Sequence, residues 1–368
     1  MEKPLFVTPS MSILLDAVRA GAALLVLGGH AVQLGIYTGP YPFNAHMQHN
    51  AVVVFFVLSG LVIAHSVQQR NYTLGEYAIA RSARILPVSL FGLALGTSIF
   101  LALSWAGLLP GIQVHGARDL LVSSILLPAL FLSESWSDAE PLLNPPYWSL
   151  TYEVWFYAIF AAAHFMKGSP RMIWVAIVAL SAGMRILLLL PVWLMGVALV
   201  HYGTRWLPRG GQAALLAAVA LASMVASDQI TVLALYASYL LNVGLGFSAD
   251  FSEYFLSDYL LGIGISLMFI AARPFADWAA GGLERARKPI EWLAGFSFSL
   301  YLLHWPILSA FSALGVKAGD SPLIFAGLVA GILGFCAFTA HFTEYRSRGI
   351  RAWLTRRFAA TQTQTAVA

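Results

Sequence analysis

Two residues of the first apolar stretch have types and spacing suited to chemistry: Arg19 and, eleven positions later, His30. On a helix, eleven steps of about 100° make three turns plus roughly 20°, with about 16 Å of rise. Both side chains then lie along one stripe at different depths. A neutral imidazole can accept a hydroxyl proton as general base and return a proton to a leaving thiolate. A cation and an imidazole so placed suit acyl transfer from a thioester to an alcohol. The plainer alternative pairs Arg19 with Asp16, one turn away, and leaves His30 bonded to a neighbouring carbonyl.

Arg81 and Arg84 stand three apart, on one face of any helix that includes them. Guanidinium groups grip phosphate oxygens through paired hydrogen bonds, as a diphosphate-bearing donor requires. Basic residues beside a span also serve as simple anchors on the inner face of a membrane. Glu153 follows Trp148 and Tyr152 at the start of a span, where a carboxylate needs a partner. It could orient His30, neutralise Arg19, or cap a helix start behind Asn144, Pro145 and Pro146. His304, before Trp305 and Pro306, reads as a hydrogen-bonded histidine at a proline bend. Gly319, Asp320 and Ser321 spell the start of an esterase-type serine motif, but they sit in a short loop between apolar runs, with no α/β domain after them.

The elements that must position these residues are helices in lipid. Of 368 residues, 59% are hydrophobic and only 10% charged, and the mean hydropathy is +0.75. A soluble domain carries about 25% charged residues. Apolar stretches of about 17–25 residues, enough to cross a hydrocarbon core, recur along the chain. The fold class expected is all-α: a polytopic integral membrane protein with about ten transmembrane helices. The expected spans are 13–36, 51–67, 85–109, 147–166, 172–190, 192–202, 212–226, 254–272, 290–314 and 323–342. The run 192–202 is short and follows Pro191, so a bent or incomplete helix is expected there. An ionisable side chain inside a span costs about 2.5–3.5 kcal/mol, which makes Arg19, His30 and Glu153 candidates for function.

Lys and Arg collect near span ends at Arg70, Arg81 and Arg84, at Lys167 and Arg171, at Arg205 and Arg209, at Arg285, Arg287 and Lys288, and from Arg346 onward. Placing every cluster in the cytosol, with both termini, leaves the run 230–247 as an external re-entrant or interfacial segment. Residues 1–345 then form one membrane domain and 346–368 a basic tail that reads as an amphipathic helix on the inner leaflet. The single cysteine, Cys336, precludes an intrachain disulfide. The net charge of +4 reports orientation, and no nucleic-acid partner is expected.

Taken together, these motifs resemble the membrane-bound acyltransferase-3 family of bacterial cell-envelope O-acyltransferases. The basic residue, ten residues and His of the first helix is similar to Arg19 to His30. The second-helix signature is similar to Phe55-Phe56-Val57-Leu58-Ser59-Gly60, and the paired-arginine motif to Arg81-Ser82-Ala83-Arg84. Trp148-Ser149-Leu150 with Glu153 resembles the fourth-helix signature, and Ser299-Leu300-Tyr301-Leu302-Leu303-His304 a late one. The closing pattern, Glu then Pro two residues on, is only partly matched: Glu344 is followed by Arg346, so no role extends to that segment.

The resemblance implies transfer of an acyl group, expected to be acetyl, from cytosolic acyl-CoA to a hydroxyl of a cell-envelope or exported polysaccharide. Acyl-CoA is a donor substrate, with no permanently bound cofactor and no metal. It implies His30 and Arg19 as catalytic residues, with Glu153 beside them, and Arg81 and Arg84 as the grip on the acyl-CoA phosphates. The expected partners are the lipid bilayer, a saccharide acceptor that can be lipid-linked, and proteins of polysaccharide biosynthesis or export. The expected location is the bacterial inner membrane. A transporter or flippase, or a non-catalytic subunit of polysaccharide export, is the alternative reading of buried Arg, His and Glu.

Overall fold

The computed structural model describes residues 5–42, 46–109 and 116–365; every regular element among them is helical. Three long helices come first: α1 (Pro9–Gln33), α2 (Met47–Gln69) and α3 (Leu74–Trp105). Two short ones, α4 (Ala117–Leu121) and α5 (Leu127–Ala129), are joined by a π-helical turn. Then follow α6 (Trp148–Phe165), α7 (Ser169–Ala182), α8 (Met184–Tyr202), α9 (Gly211–Gln229) and α10 (Thr231–Leu245). The chain closes with α11 (Phe255–Trp278), α12 (Ala280–Gly295), α13 (Ser297–Ala313), α14 (Pro322–Ala340) and α15 (Ser347–Thr365).

Among the described residues seven helices are long and apolar enough to cross a membrane: α1, α2, α3, α8 with its short extension to Trp206, α9, α11 and α14. An eighth results if α12 and α13, bent by 47° at their junction, cross together. The protein is thus an all-α polytopic membrane protein with fewer qualifying spans than the ten expected. The shortfall has physical causes. α7 is apolar but only 14 residues long, about 21 Å at 1.5 Å per residue, against a hydrocarbon core of about 30 Å. α6 carries Glu153 and His164 among its aromatics, and eleven of its eighteen residues are buried against protein. A helix shielded from lipid by its neighbours can afford such side chains.

Two boundaries differ from those the sequence suggests. α3 begins at Leu74 rather than Ile85, because Thr73 and Glu76 close a capping box at its start. Arg81 and Arg84 therefore lie within a regular helix rather than ahead of one. The break expected at Pro191 falls instead at Gly183, and α8 runs through Pro191 without interruption. Gly183 has φ +87°, and a Cβ there would overlap the carbonyl oxygen of Ser135. Only glycine combines that backbone conformation with that approach.

Helices in lipid gain little from hydrophobic burial against one another, so their association rests on close packing. α2 and α8 supply it through a reciprocal pair. A Cβ on Gly60 would strike the Trp193 carbonyl, and one on Gly196 the Val57 carbonyl. The fully buried Trp193, Phe156, Tyr152 and Leu61 fill the larger core around this crossing. A second core joins α1, α13 and α14 through Leu27, Phe296, Leu303 and Cys336. α1 packs on α2, α12 and α13 and so borders both cores.

Candidate active site

One cavity of about 120 Å³ opens among α1, α2, α3, α6 and α13. Four of the five residues singled out above, Arg19, Arg81, Arg84 and Glu153, line it. The fifth, His30, does not; by helix rise it lies about 16 Å farther along α1 than Arg19.

At the arginine end, Arg19 donates to Asp16 Oδ1 at 2.7 Å, the pairing that the plainer reading described. Its Nε is buried and without a hydrogen-bond partner. Arg81 is half-buried over the Tyr77 ring, 5.9 Å from its centroid, and its Nε is likewise buried and unpartnered. Arg84 is exposed and forms no hydrogen bond or salt bridge among the described residues. Three guanidinium groups thus meet only two carboxylates, Asp16 and Glu153, among the lining residues. A buried polar group without a partner costs about 1–3 kcal/mol, and the Nε atoms of Arg19 and Arg81 are two such groups in this wall, although the nearby Glu344 carboxylate also acts on Arg84 and Arg19.

Glu153 sits deeper. Its Oε1 accepts from Ser59 Oγ at 2.5 Å and from the Tyr157 hydroxyl. Ser59 in turn accepts from Trp193 Nε1 at 3.1 Å. Ser59, Tyr157 and Trp193 therefore fix the carboxylate from α2, α6 and α8. The possibility that Glu153 orients His30 is not what the structure shows: its partners are Ser59 and Tyr157, and His30 has another.

That partner is His304. Tyr301, on α13, lines the cavity, and its hydroxyl donates to the Pro146 carbonyl at 3.0 Å and meets Ser149 Oγ at 2.7 Å. One turn on, His304 Nε2 lies 2.7 Å from His30 Nδ1. Trp305 stands edge-on to His30, with ring centroids 4.5 Å apart. Pro306 removes the backbone N–H that would bond the Leu302 carbonyl, and the buried Asn144 supplies Nδ2–H to it at 3.1 Å. The proline bend is held from outside, so α13 stays helical through the histidine.

The start of α13 is held by a residue that sequence reasoning set aside. Glu344 Oε1 accepts the backbone N–H of Ser299 at 2.8 Å, as a carboxylate does at a helix N-terminus. Burial pushes the Glu344 carboxyl above its ordinary range, while Arg84, Ser299 and Arg19 oppose that shift. Ser59 and Glu344 both lie in segments the sequence singles out, so their signal was motif membership without a role. Tyr157 had none beyond its place four residues after Glu153. Ser321 caps α14, its side chain accepting from the Ile324 N–H. Among the described residues no group of three or more His, Cys, Asp or Glu is placed to hold a metal.

The family model described as an acyltransferase domain matches residues 13–341. "Protein 2 in picA locus" of Rhizobium radiobacter is 34% identical over 165 residues, 42% of this chain and 82% of that protein. "Exopolysaccharide production protein ExoZ" of Rhizobium meliloti is 35% identical over 121 residues, 33% of this chain and 36% of that protein. No solved structure matches the chain. The match over nearly the whole chain shows that this membrane protein is an acyltransferase and belongs to the acyltransferase-3 family.

Proposed function

We propose that the protein transfers an acyl group, acetyl in the simplest case, from cytosolic acyl-CoA to a hydroxyl of an exopolysaccharide or its lipid-linked precursor. The observation that carries this reading is the cavity whose wall holds Arg19, Arg81 and Arg84 and reaches Tyr301, one turn from the His304–His30 pair. The arginines receive the donor's phosphates, and the apolar wall, with Phe55, Phe56 and Phe298, takes the pantetheine arm. The name of the ExoZ relative supports an exopolysaccharide acceptor. The distribution of Lys and Arg supports an arginine end that faces the cytosol, with both termini there, in a bacterial inner membrane.

In this reading His30 takes the acceptor's hydroxyl proton as the oxygen attacks the thioester carbonyl. The C–O bond forms, the C–S bond breaks, and the departing CoA thiolate recovers the proton from His30. Arg19 balances charge at the donor's end, and Glu153, fixed by Ser59 and Tyr157, presents a carboxylate to the donor's amide groups. The test is purified full-length protein in proteoliposomes with radiolabelled acetyl-CoA and polysaccharide precursor extracted from the host. Label in the saccharide, dependent on His30, supports the proposal. CoA-independent movement of saccharide across the bilayer with no covalent product would replace it with transport.

A further inference from the structure

We infer that His304 is a positioning residue that fixes the tautomer of His30, leaving Nε2 of His30 as the reactive nitrogen. The inference rests on the proposal that His30 handles the transferred proton, and it adds which nitrogen does so and why.

The argument starts at a carbonyl. His304 is fully buried, and its Nδ1 lies 3.0 Å from the Leu300 oxygen. A carbonyl oxygen only accepts, so Nδ1 of His304 carries a hydrogen. A neutral imidazole has one N–H, so Nε2 of His304 presents a lone pair. That lone pair faces His30 Nδ1 at 2.7 Å, so His30 Nδ1 must be the donor. With its one N–H so committed, neutral His30 has its lone pair on Nε2. The reverse assignment would need a doubly protonated His304, a buried cation with no carboxylate hydrogen-bonded to it among the described residues.

Ring geometry agrees. The two imidazoles have parallel planes and centroids 5.0 Å apart. With 2.7 Å between the bonded nitrogens, that separation leaves the two ring radii laid end to end. The rings therefore share a plane and meet edge to edge rather than face to face, and the N–H points straight at its acceptor. Trp305, edge-on against His30, blocks rotation out of this plane.

The consequence for the reaction is directional. When Nε2 of His30 takes a hydroxyl proton, its Nδ1–H stays donated to His304 Nε2, and that charge-assisted hydrogen bond stabilises the imidazolium. His304 never touches substrate.

The test has two readouts on the full chain in bilayers. Nitrogen NMR of isotope-labelled histidine, with signals assigned by His30→Ala and His304→Gln, reads the tautomers without requiring turnover. The expected result is an Nδ1–H, bare-Nε2 signal for His30 that converts to the Nε2–H form in His304→Leu; an Nε2–H signal for His30 in wild type overturns the inference. Kinetics add a second check. His304→Leu is expected to lower kcat about 100-fold or more, within the range of general acid–base effects, with KM for acyl-CoA within about 2-fold. His304→Gln, whose side-chain oxygen accepts from His30 Nδ1–H, is expected to recover most of that loss. Equal impairment of the Gln and Leu variants would make His304 a packing residue only. Full activity of His30→Ala would instead remove the functional reading on which this inference rests.

Discussion

Replacing Arg81 by Gln tests whether the cavity's arginines bind phosphate. Arg81 is half-buried and makes no ion pair, and its Nε is buried without a partner. Losing it breaks no native hydrogen bond and removes an unsatisfied donor, which offsets the lost contact with the Tyr77 ring, so folding stability should change by less than about 1 kcal/mol. A charge-assisted hydrogen bond contributes about 1.5–3 kcal/mol, which converts to roughly 10- to 150-fold in Kd for a phosphate-bearing donor. Arg84 is exposed, and screening reduces its expected share to about 0.2–1 kcal/mol, or roughly 1.4- to 5-fold. Calorimetric titration of purified wild type, Arg81→Gln and Arg84→Gln with CoA and with S-acetylpantetheine, which lacks phosphate, separates charge recognition from shape. The larger loss belongs to Arg81, and only with CoA. An equal loss for both ligands, or none for either, would refute the assignment of these arginines to donor phosphates.

Three further outcomes follow from the packing and the electrostatics. Gly196→Leu drives a side chain into the Val57 carbonyl and should separate α2 from α8, costing more than about 3 kcal/mol; thermal unfolding in detergent measures it, and a wild-type midpoint would contradict the close crossing. Glu344→Ala removes the acceptor for the Ser299 N–H at the start of α13, with an expected loss of about 1 kcal/mol, whereas Glu344→Gln should retain most of it. Glu134 lies in the loop after α5, where burial first and the Asp250 charge second push its carboxyl up to about 8. A carboxyl raised in the folded state favours folding below its ordinary value of 4.5, and that advantage is lost as pH rises through about 8. The melting midpoint should therefore decline between those limits in wild type and decline less in Glu134→Gln.

Much of the fold could be read from the sequence, because lipid imposes simple rules. Long apolar runs had to be helices, and the few ionisable residues within them had to face protein. Arg19, Arg81, Arg84 and Glu153 meet in one cavity although the first and last are 134 positions apart in sequence. Helix ends were harder. The capping box that starts α3 at Leu74 lies outside the apolar run, and hydropathy does not report it. Gly183 outweighs Pro191 as a break because its role depends on the Ser135 carbonyl, distant in sequence. The His30–His304 contact joins residues 274 apart, and His304 beside a proline looked like an ordinary bend. Nothing local distinguishes a histidine that bonds a carbonyl from one that bonds a carbonyl and a second histidine.

The most direct test of the central claim is mass spectrometry of esters on envelope and secreted polysaccharide from cells carrying wild type, His30→Ala or no copy, with membrane expression matched. The account expects one ester present only with wild type, its mass giving the acyl group and its carrier the acceptor. The same esters in all three strains would contradict acyl transfer to the envelope by this protein.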